Sequence, residues 1–469
     1  MFAILTGNPL SPPQPTRQDE RVEVSRPPVA EQVVHDVIVL GAGIAGLAAM
    51  DRLTGTGGSI LCLESFDRIG GSHRSVEAGG YTFDIGSFVF HANHPFFQTY
   101  PEVREQMVPF TPGQQRLAPD GKVRRYPYAS TEIFGGAPLS AVLDGLSFLS
   151  GRLRFGEVGN ADAYARKILG RRLYERLGLR NYMERFYGSS AELIDRSFVD
   201  DRMKFVLRAV EPAAMAGTIA QLVRSKVSAP KPAPKRVALA RPRAGFEALY
   251  APVVKALEDK GARFVLGAGT EAIRRVSDGF EITTAQGVYR CARLVNTLPL
   301  HVLWPLLKQS TALDLESSRL TSLFVSFSGD RGFTAPILFN FHGEGRWKRL
   351  TLHSHFYGDV EGRAYFSVEV PESAGDPVDA GALFDDFRRH TAANGLFNGD
   401  LELEGHAVTD FAYPHYAIGY KARLAKAFET IEAAGIETVG RQGRFDYLPT
   451  THQVVGQVRR ELDQSSASA

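Results

Sequence analysis

Three glycines at positions 41, 43 and 46, in the string Gly41-Ala42-Gly43-Ile44-Ala45-Gly46, are the first residues whose spacing could do chemistry. An apolar run, 34–40, leads into them, and a segment of helical composition, 44–53, leads out. In that setting Gly41 permits a tight turn, Gly43 lets backbone approach a diphosphate, and Gly46 lets the helix pack closely on the strand. The helix N-terminus then turns N–H groups and a partial positive charge toward the phosphates. Glu64 stands 18 residues after Gly46 at the end of a second apolar run, placed to accept both ribose hydroxyls, and an acid there disfavours a 2′-phosphate. A glycine turn alone would be weak, but strand, helix and acid together predict a dinucleotide lined by Gly41, Gly43, Ile44, Ala45, Gly46, Glu64 and Ser65.

The residues after Glu64 favour FAD over NAD. Arg68-Ile69-Gly70-Gly71 comes first, then Phe83-Asp84-Ile85-Gly86-Ser87. Two adjacent glycines give a backbone path that can pass close to a diphosphate or ribityl chain. Gly70, Gly71, Ser72, Gly86 and Ser87 therefore join the expected cofactor contacts. Near the end of the chain a strand, 436–439, runs into Gly440-Arg441, and a helix begins at about Thr451, His452 and Gln453. This predicts a second helix N-terminus at the cofactor. Its dipole would stabilise the negative charge of a reduced flavin by ~0.3–1 kcal/mol.

The elements that position these residues can be read from length and pattern. At 469 residues the chain exceeds one hydrophobic core, so two or three packed lobes are expected. Apolar residues are 44% and charged residues 23%, ordinary globular values. With 54 Lys+Arg against 52 Asp+Glu the formal charge is only +2, which implies no nucleic-acid partner. A local basic stretch, Lys231, Lys235, Arg236, Arg241 and Arg243, reads as a solvated, Pro-interrupted surface segment. Cys62 and Cys291 support neither a disulfide framework nor a metal site and fit a reducing cytoplasm. No apolar run approaches the ~20 residues needed to span a bilayer.

The pattern predicts an α/β fold: a discontinuous Rossmann-like FAD-binding domain with a helical insertion and an antiparallel β-sheet substrate domain. Residues 1–32 read as a mobile leader; 33–100, 238–300 and 405–469 as the FAD-binding domain; 101–237 as the helical insertion; and 301–404 as the sheet domain. Within the insertion, helices are expected at 161–169, 173–182 and 205–223, with a stiff Pro-rich connector after them at 227–234.

Residues 64–71 together with Phe83-Asp84-Ile85-Gly86 resemble a large class of flavoproteins that includes amine oxidases, protoporphyrinogen oxidases and UDP-galactopyranose mutases. Those oxidases typically carry Arg directly after the Gly-Gly pair, where this chain has Ser72-His73-Arg74. Later segments are similar to the mutases. Gly86-Ser87-Phe88-Val89-Phe90-His91 resembles their Gly-Pro-His-Ile-Phe-His stretch, and Arg125-Tyr126-Pro127-Tyr128 resembles Tyr-Pro-Phe. Residues 169–174, then 182–188, then Arg202 match the spacing of a mutase segment that reads Gly, Leu-Tyr, Tyr-x-x-Lys-x-Trp-Gly and Arg.

The resemblance implies a mutase-like enzyme on a nucleotide sugar, in which N5 of reduced FAD attacks the anomeric carbon and an adduct allows pyranose and furanose to interconvert. NAD(P)H is a candidate reductant and a homodimer a candidate assembly. Arg202, Arg349, Tyr413 and Tyr447 match residues that hold the substrate phosphates, and paired guanidinium forks suit a diphosphate. Phe88 stands where the mutases have a histidine beside the flavin, and Tyr187 where they have a tryptophan. These departures point to a different nucleotide sugar or to lost ring contraction. The rival reading is an FAD-dependent oxidase or desaturase of the amine oxidase class, which needs an apolar tunnel without paired arginines. Lys204, Lys226 and Lys308 fit no position beside a flavin.

Overall fold

A computed structural model describes residues 33–86, 89–128, 132–133, 138–154, 156, 158–203, 237–373, 375 and 377–468. The expected leader, Ser87, Phe88, Lys204, Lys226, the helix at 205–223 and the connector at 227–234 lie outside the described residues.

The first strand among the described residues, the largely buried Val34–Leu40, pairs in parallel with Ile60–Leu63 on one side and Gly287–Asn296 on the other. Seven strands make this sheet: Arg263–Val265 extends it beyond Ile60–Leu63, while Gly279–Thr284 and Thr270–Val276 add an antiparallel edge and Glu437–Thr438 pairs in parallel with Gly287–Asn296. Helices cover both faces, as a largely parallel sheet requires. Leu47, Met50, Leu249, Val253, Val455 and Val458 pack one side, from helices Ile44–Leu53, Phe246–Glu258 and Thr451–Ser468. Leu300, Leu303, Ala427 and Ile431 pack the other. Mixed α/β layers with a Rossmann-like unit are therefore present.

A second seven-stranded sheet runs in the order Phe397–His415, Glu316–Arg331, Ala364–Ser373, Arg349–Leu352, Ile337–Asn340, Gln114–Leu117 and Val123–Arg125. Its pairs are antiparallel except Ile337–Asn340 with Gln114–Leu117. Two expected boundaries differ from this arrangement. Gln114–Leu117 and Val123–Arg125 fall in the stretch read as helical insertion, yet they complete the sheet. Phe397–His415 continues past position 405 within the same sheet, its alternation blurred by Gly399 and Gly405 and by a register shift opposite Phe324 and Val325.

The described helices of the insertion include Pro138–Arg154, Ala161–Leu169, Arg171–Arg176, Leu179–Tyr187 and Ser197–Arg202. One helix expected at 173–182 is two, because Gly178 takes φ +69° and a methyl there would lie 2.5 Å from the Phe341 carbonyl oxygen. Their apolar faces, including Leu173, Met183, Phe186 and Phe198, pack on Ile337 and Phe339 of the second sheet and on Phe341 just beyond that strand. Among the described residues no helix is long and apolar enough to cross a membrane.

Candidate active site

The glycine loop is a cradle of bare backbone. Gly41 turns with φ +94° and donates its N–H to the Leu63 carbonyl at 2.8 Å. A methyl on Gly46 would meet the Gly41 carbonyl oxygen at 1.8 Å, which confines the position to glycine. Gly70 donates to the Ala42 carbonyl at 3.0 Å, and a methyl on Gly71 would lie 3.0 Å from the Gly43 Cα, so the two glycine segments lie in contact. Gly43 caps the helix with no side-chain bond, leaving Ile44 and Ala45 at a first turn open to an anion. Glu64 is buried beside it. One carboxylate oxygen accepts the Ala42 N–H at 2.6 Å, and the other accepts the Phe66 N–H at 3.0 Å and the Ser65 hydroxyl at 3.2 Å. Ser65 and Ser72 are exposed and Gly86 is buried. These residues fit the diphosphate and ribose of a flavin dinucleotide.

The late turn closes on the same loop. Gly440 takes φ +79°, and a methyl there would lie 2.4 Å from the Ala45 Cβ. The Thr451–Ser468 helix packs along Ile44–Leu53. Thr450 and Gln453 form a reciprocal cap: the Gln453 side-chain oxygen accepts the Thr450 N–H at 3.2 Å and its hydroxyl at 2.9 Å, and the Thr450 hydroxyl accepts the Gln453 N–H at 3.3 Å. Exposed Gln453, expected at the cofactor, thus has a capping role in this structure, as its Thr-x-x-Gln spacing dictates. Thr451 and His452 are half-buried, with His452 6.2 Å from the buried ring of His94.

Arg202 sits in an aromatic cage. Its guanidinium carbon lies 3.3 Å from the Tyr447 ring centre and 3.7 Å from that of Phe186, with Phe198 at 5.3 Å and Tyr413 at 5.4 Å. The side chain is buried, and among the described residues none of its three nitrogens has a hydrogen-bond partner. A buried charge without a partner is costly, so something outside the described chain is expected to meet it.

Beside the cage, Arg349 and Lys348 share one buried carboxylate, Glu369. Arg349 Nε donates to Glu369 at 3.0 Å, and Lys348 Nζ lies 2.9 Å from the other Glu369 oxygen. Burial pushes the Glu369 carboxyl up, but Arg349 and Lys348 outweigh it and hold it down at about 2. Lys348 also donates to the Tyr413 hydroxyl at 2.7 Å. Arg441, next to Gly440, donates to the Ala412 carbonyl and lies 5.3 Å from the Tyr413 ring, so it stands between the cradle and the cage. Burial, and the like charge of Arg202, lower Arg441 from its ordinary value. Arg202, Lys348 and Arg441 thus lie about the Tyr413 ring, and of the three only Lys348 shares the Glu369 carboxylate, together with Arg349.

All four residues expected to hold phosphates, Arg202, Arg349, Tyr413 and Tyr447, therefore converge from distant segments. Arg349 is not free, however, being committed to Glu369. Tyr187 is buried, donates to the Pro414 carbonyl at 2.9 Å and stacks on His415 at 4.2 Å. Lys348 and Glu369 were not anticipated, although Glu369 is a lone acid between Val368 and Val370 in a buried apolar strand. Arg241 corrects the expectation of a solvated basic stretch. It is buried, pairs with Asp84 at 2.6 Å and donates to the Thr82 carbonyl at 3.1 Å, tying the segment after 237 to the Phe83-Asp84 motif. Arg243 is exposed, while Lys231, Lys235 and Arg236 lie outside the described residues; Lys308 is exposed.

Comparison with known proteins supports the Rossmann-like unit and the overall fold. A family described as a NAD(P)-binding Rossmann-like domain matches residues 39–105. A possible lysine-specific histone demethylase 1 of Drosophila melanogaster is 29% identical over 135 residues, 28% of this chain and 15% of that protein. A phytoene dehydrogenase of Streptomyces griseus is 30% identical over 162 residues, 34% of this chain and 30% of that protein. The matches thus span less than a third of either relative's length. A reduced UDP-galactopyranose mutase superposes with TM-score 0.76 at 21% identity, over 93% of this chain and 95% of the other. A putative protoporphyrinogen oxidase from Exiguobacterium sp. 255-15 superposes with TM-score 0.68 at 15% identity, over 93% and 100%.

Proposed function

We propose, from the premise that this chain has the fold of the FAD-dependent amine oxidase-like superfamily, that it is a flavoenzyme interconverting the pyranose and furanose forms of a nucleotide sugar. The observation that carries the reading is Arg202, a buried guanidinium without a partner among the described residues, walled by Tyr447, Phe186 and Tyr413 and lying near Arg441, which adjoins the cofactor cradle. A diphosphate supplies the charge and the acceptor oxygens that Arg202 lacks.

Arg202, Tyr413 and Tyr447 hold the diphosphate, while Arg349 and Lys348, fixed on Glu369, keep the field positive where leaving-group charge develops. The aromatic walls exclude water and so strengthen each charge interaction. Arg441 and the N-terminus of the Thr451–Ser468 helix would hold the flavin's negative charge and favour its reduced form. When bound, reduced FAD supplies the nucleophile for the anomeric carbon. The working reduced state, NAD(P)H as reductant, a homodimer, a cytoplasmic setting and a discontinuous FAD-binding domain belong to the same proposal.

The test is to purify the yellow protein, reduce it with dithionite or NAD(P)H, and supply UDP-galactose or dTDP-fucose. Furanose products, resolved by chromatography, are expected. Failure to form product together with failure to bind UDP overturns the reading. Oxygen consumption with an amine or apolar ring compound would instead support the oxidase or desaturase alternative.

A further inference from the structure

We infer that Lys348 is a positioning residue for the anionic ligand: anchored on Glu369, it occupies the Tyr413 hydroxyl oxygen and so commits that hydroxyl's own proton to the ligand. The inference rests on the reading of this site as an anion site.

An ammonium carries three donors and no acceptor, so in the 2.7 Å contact Lys348 must donate and Tyr413 must accept. The Tyr413 O–H is then free to donate elsewhere. Among the described residues it has no acceptor. Its cationic neighbours, Arg202 at 5.4 Å and Arg441 at 5.3 Å from the ring, offer only donors. An oxygen of a bound anion is the acceptor this arrangement leaves open, and a polar group in a partly buried site is expected to find one.

Lys348 can hold this position because its other contacts fix it. It is buried, with its ammonium 2.9 Å from Glu369 and over the faces of Tyr413 at 4.2 Å and Phe186 at 4.7 Å. Its backbone is bonded on both sides, the N–H to the Glu369 carbonyl at 2.8 Å and the carbonyl to the Asn340 N–H at 2.9 Å. Without Lys348 the Tyr413 hydroxyl could rotate, and its donation to the ligand would compete with other orientations. Lys348 thus selects for ligands that present an acceptor oxygen at Tyr413, such as a nucleoside diphosphate.

The experiment is a double-mutant cycle on the full flavoprotein, with the affinity for UDP measured by calorimetry. Lys348→Met and Tyr413→Phe are each expected to weaken UDP binding about tenfold, one hydrogen bond to a charged group, and the double variant to be no weaker than either single. Lys348→Arg, which keeps a charged donor, should recover part of the loss, and flavin content should stay unchanged throughout. A double variant weakened about a hundredfold would mean independent effects and overturn the inference. So would unchanged binding in Tyr413→Phe, a variant that keeps the ring and decides the question even if Lys348→Met fails to fold. Inorganic pyrophosphate separates the two levels: a wild-type protein that binds pyrophosphate but not UDP overturns the nucleotide reading, and the cycle is then run with pyrophosphate. A wild-type protein that binds neither overturns both.

Discussion

Arg349 and Glu369 stand opposite each other in register on the antiparallel strands Arg349–Leu352 and Ala364–Ser373, and their side chains close an ion pair. Removing one partner of a buried pair leaves an uncompensated charge, which costs about 3 kcal/mol or more. Glu369→Gln is therefore expected to lower the thermal midpoint as well as UDP affinity, because it strands Arg349 and Lys348 together. The Glu369 carboxyl is held at about 2 against an ordinary 4.5, so its contribution is complete above the ordinary value and is lost as pH falls toward 2. Melting curves between pH 6 and pH 3 should show the wild type losing its advantage over Glu369→Gln as the solution is acidified.

Arg202 is predicted to behave in the opposite sense. Its cage provides faces and no acid, so the charge is stabilising only once an anion arrives. Arg202→Met should leave the unliganded protein as stable as the wild type or more so, while weakening UDP binding by roughly a hundredfold. A drop in the midpoint of the unliganded protein would count against this view of Arg202.

Glu64→Gln keeps shape but replaces one acceptor oxygen with a donor. Since both oxygens already receive N–H groups, at Ala42 and Phe66, the change sets donor against donor at the mouth of the loop. Flavin content per protein after gel filtration should fall, with folded yield less affected.

Glu461 supplies a pH test away from the ligand. Burial lifts its carboxyl to about 7, Arg444 opposing, so the folded chain holds a proton that the unfolded chain releases near 4.5. The folded state therefore loses stability as pH rises between those values. Glu461→Gln should raise the midpoint at pH 8 and change it little at pH 5; equal shifts at both would exclude this titration as the cause.

What could be read from the chain divides by distance. The glycine loop and Glu64 are local, and strand, turn and helix succeed one another, so their arrangement was legible from spacing. Arg202, Arg349, Tyr413 and Tyr447 lie far apart, and only resemblance to a known order of motifs selected them. Lys348 and Glu369 were missed because an ion pair across two strands leaves no periodic trace, apart from one acid in an apolar run. Arg241 was misread for a related reason: its partner Asp84 is 157 positions earlier, while the nearest charged residues in sequence, Arg236 and Arg243, are basic. The Phe397–His415 strand alternates strictly only over 400–404, and Gly399, Gly405 and the register shift break the pattern on either side, so its full length was hidden.

Gly440 resting on Ala45 makes the glycine loop depend on a segment far along the chain. The strand Val34–Leu40 and the helix Ile44–Leu53 are contiguous and can form early, but the wall that the late turn and the Thr451–Ser468 helix add is a long-range contact that forms only when distant segments meet. A chain cut before position 440 would keep the glycine motif and lose the segment packed against its helix, leaving Leu47 and Met50 without Val455 and Val458. The motif is therefore local in sequence and its support is not.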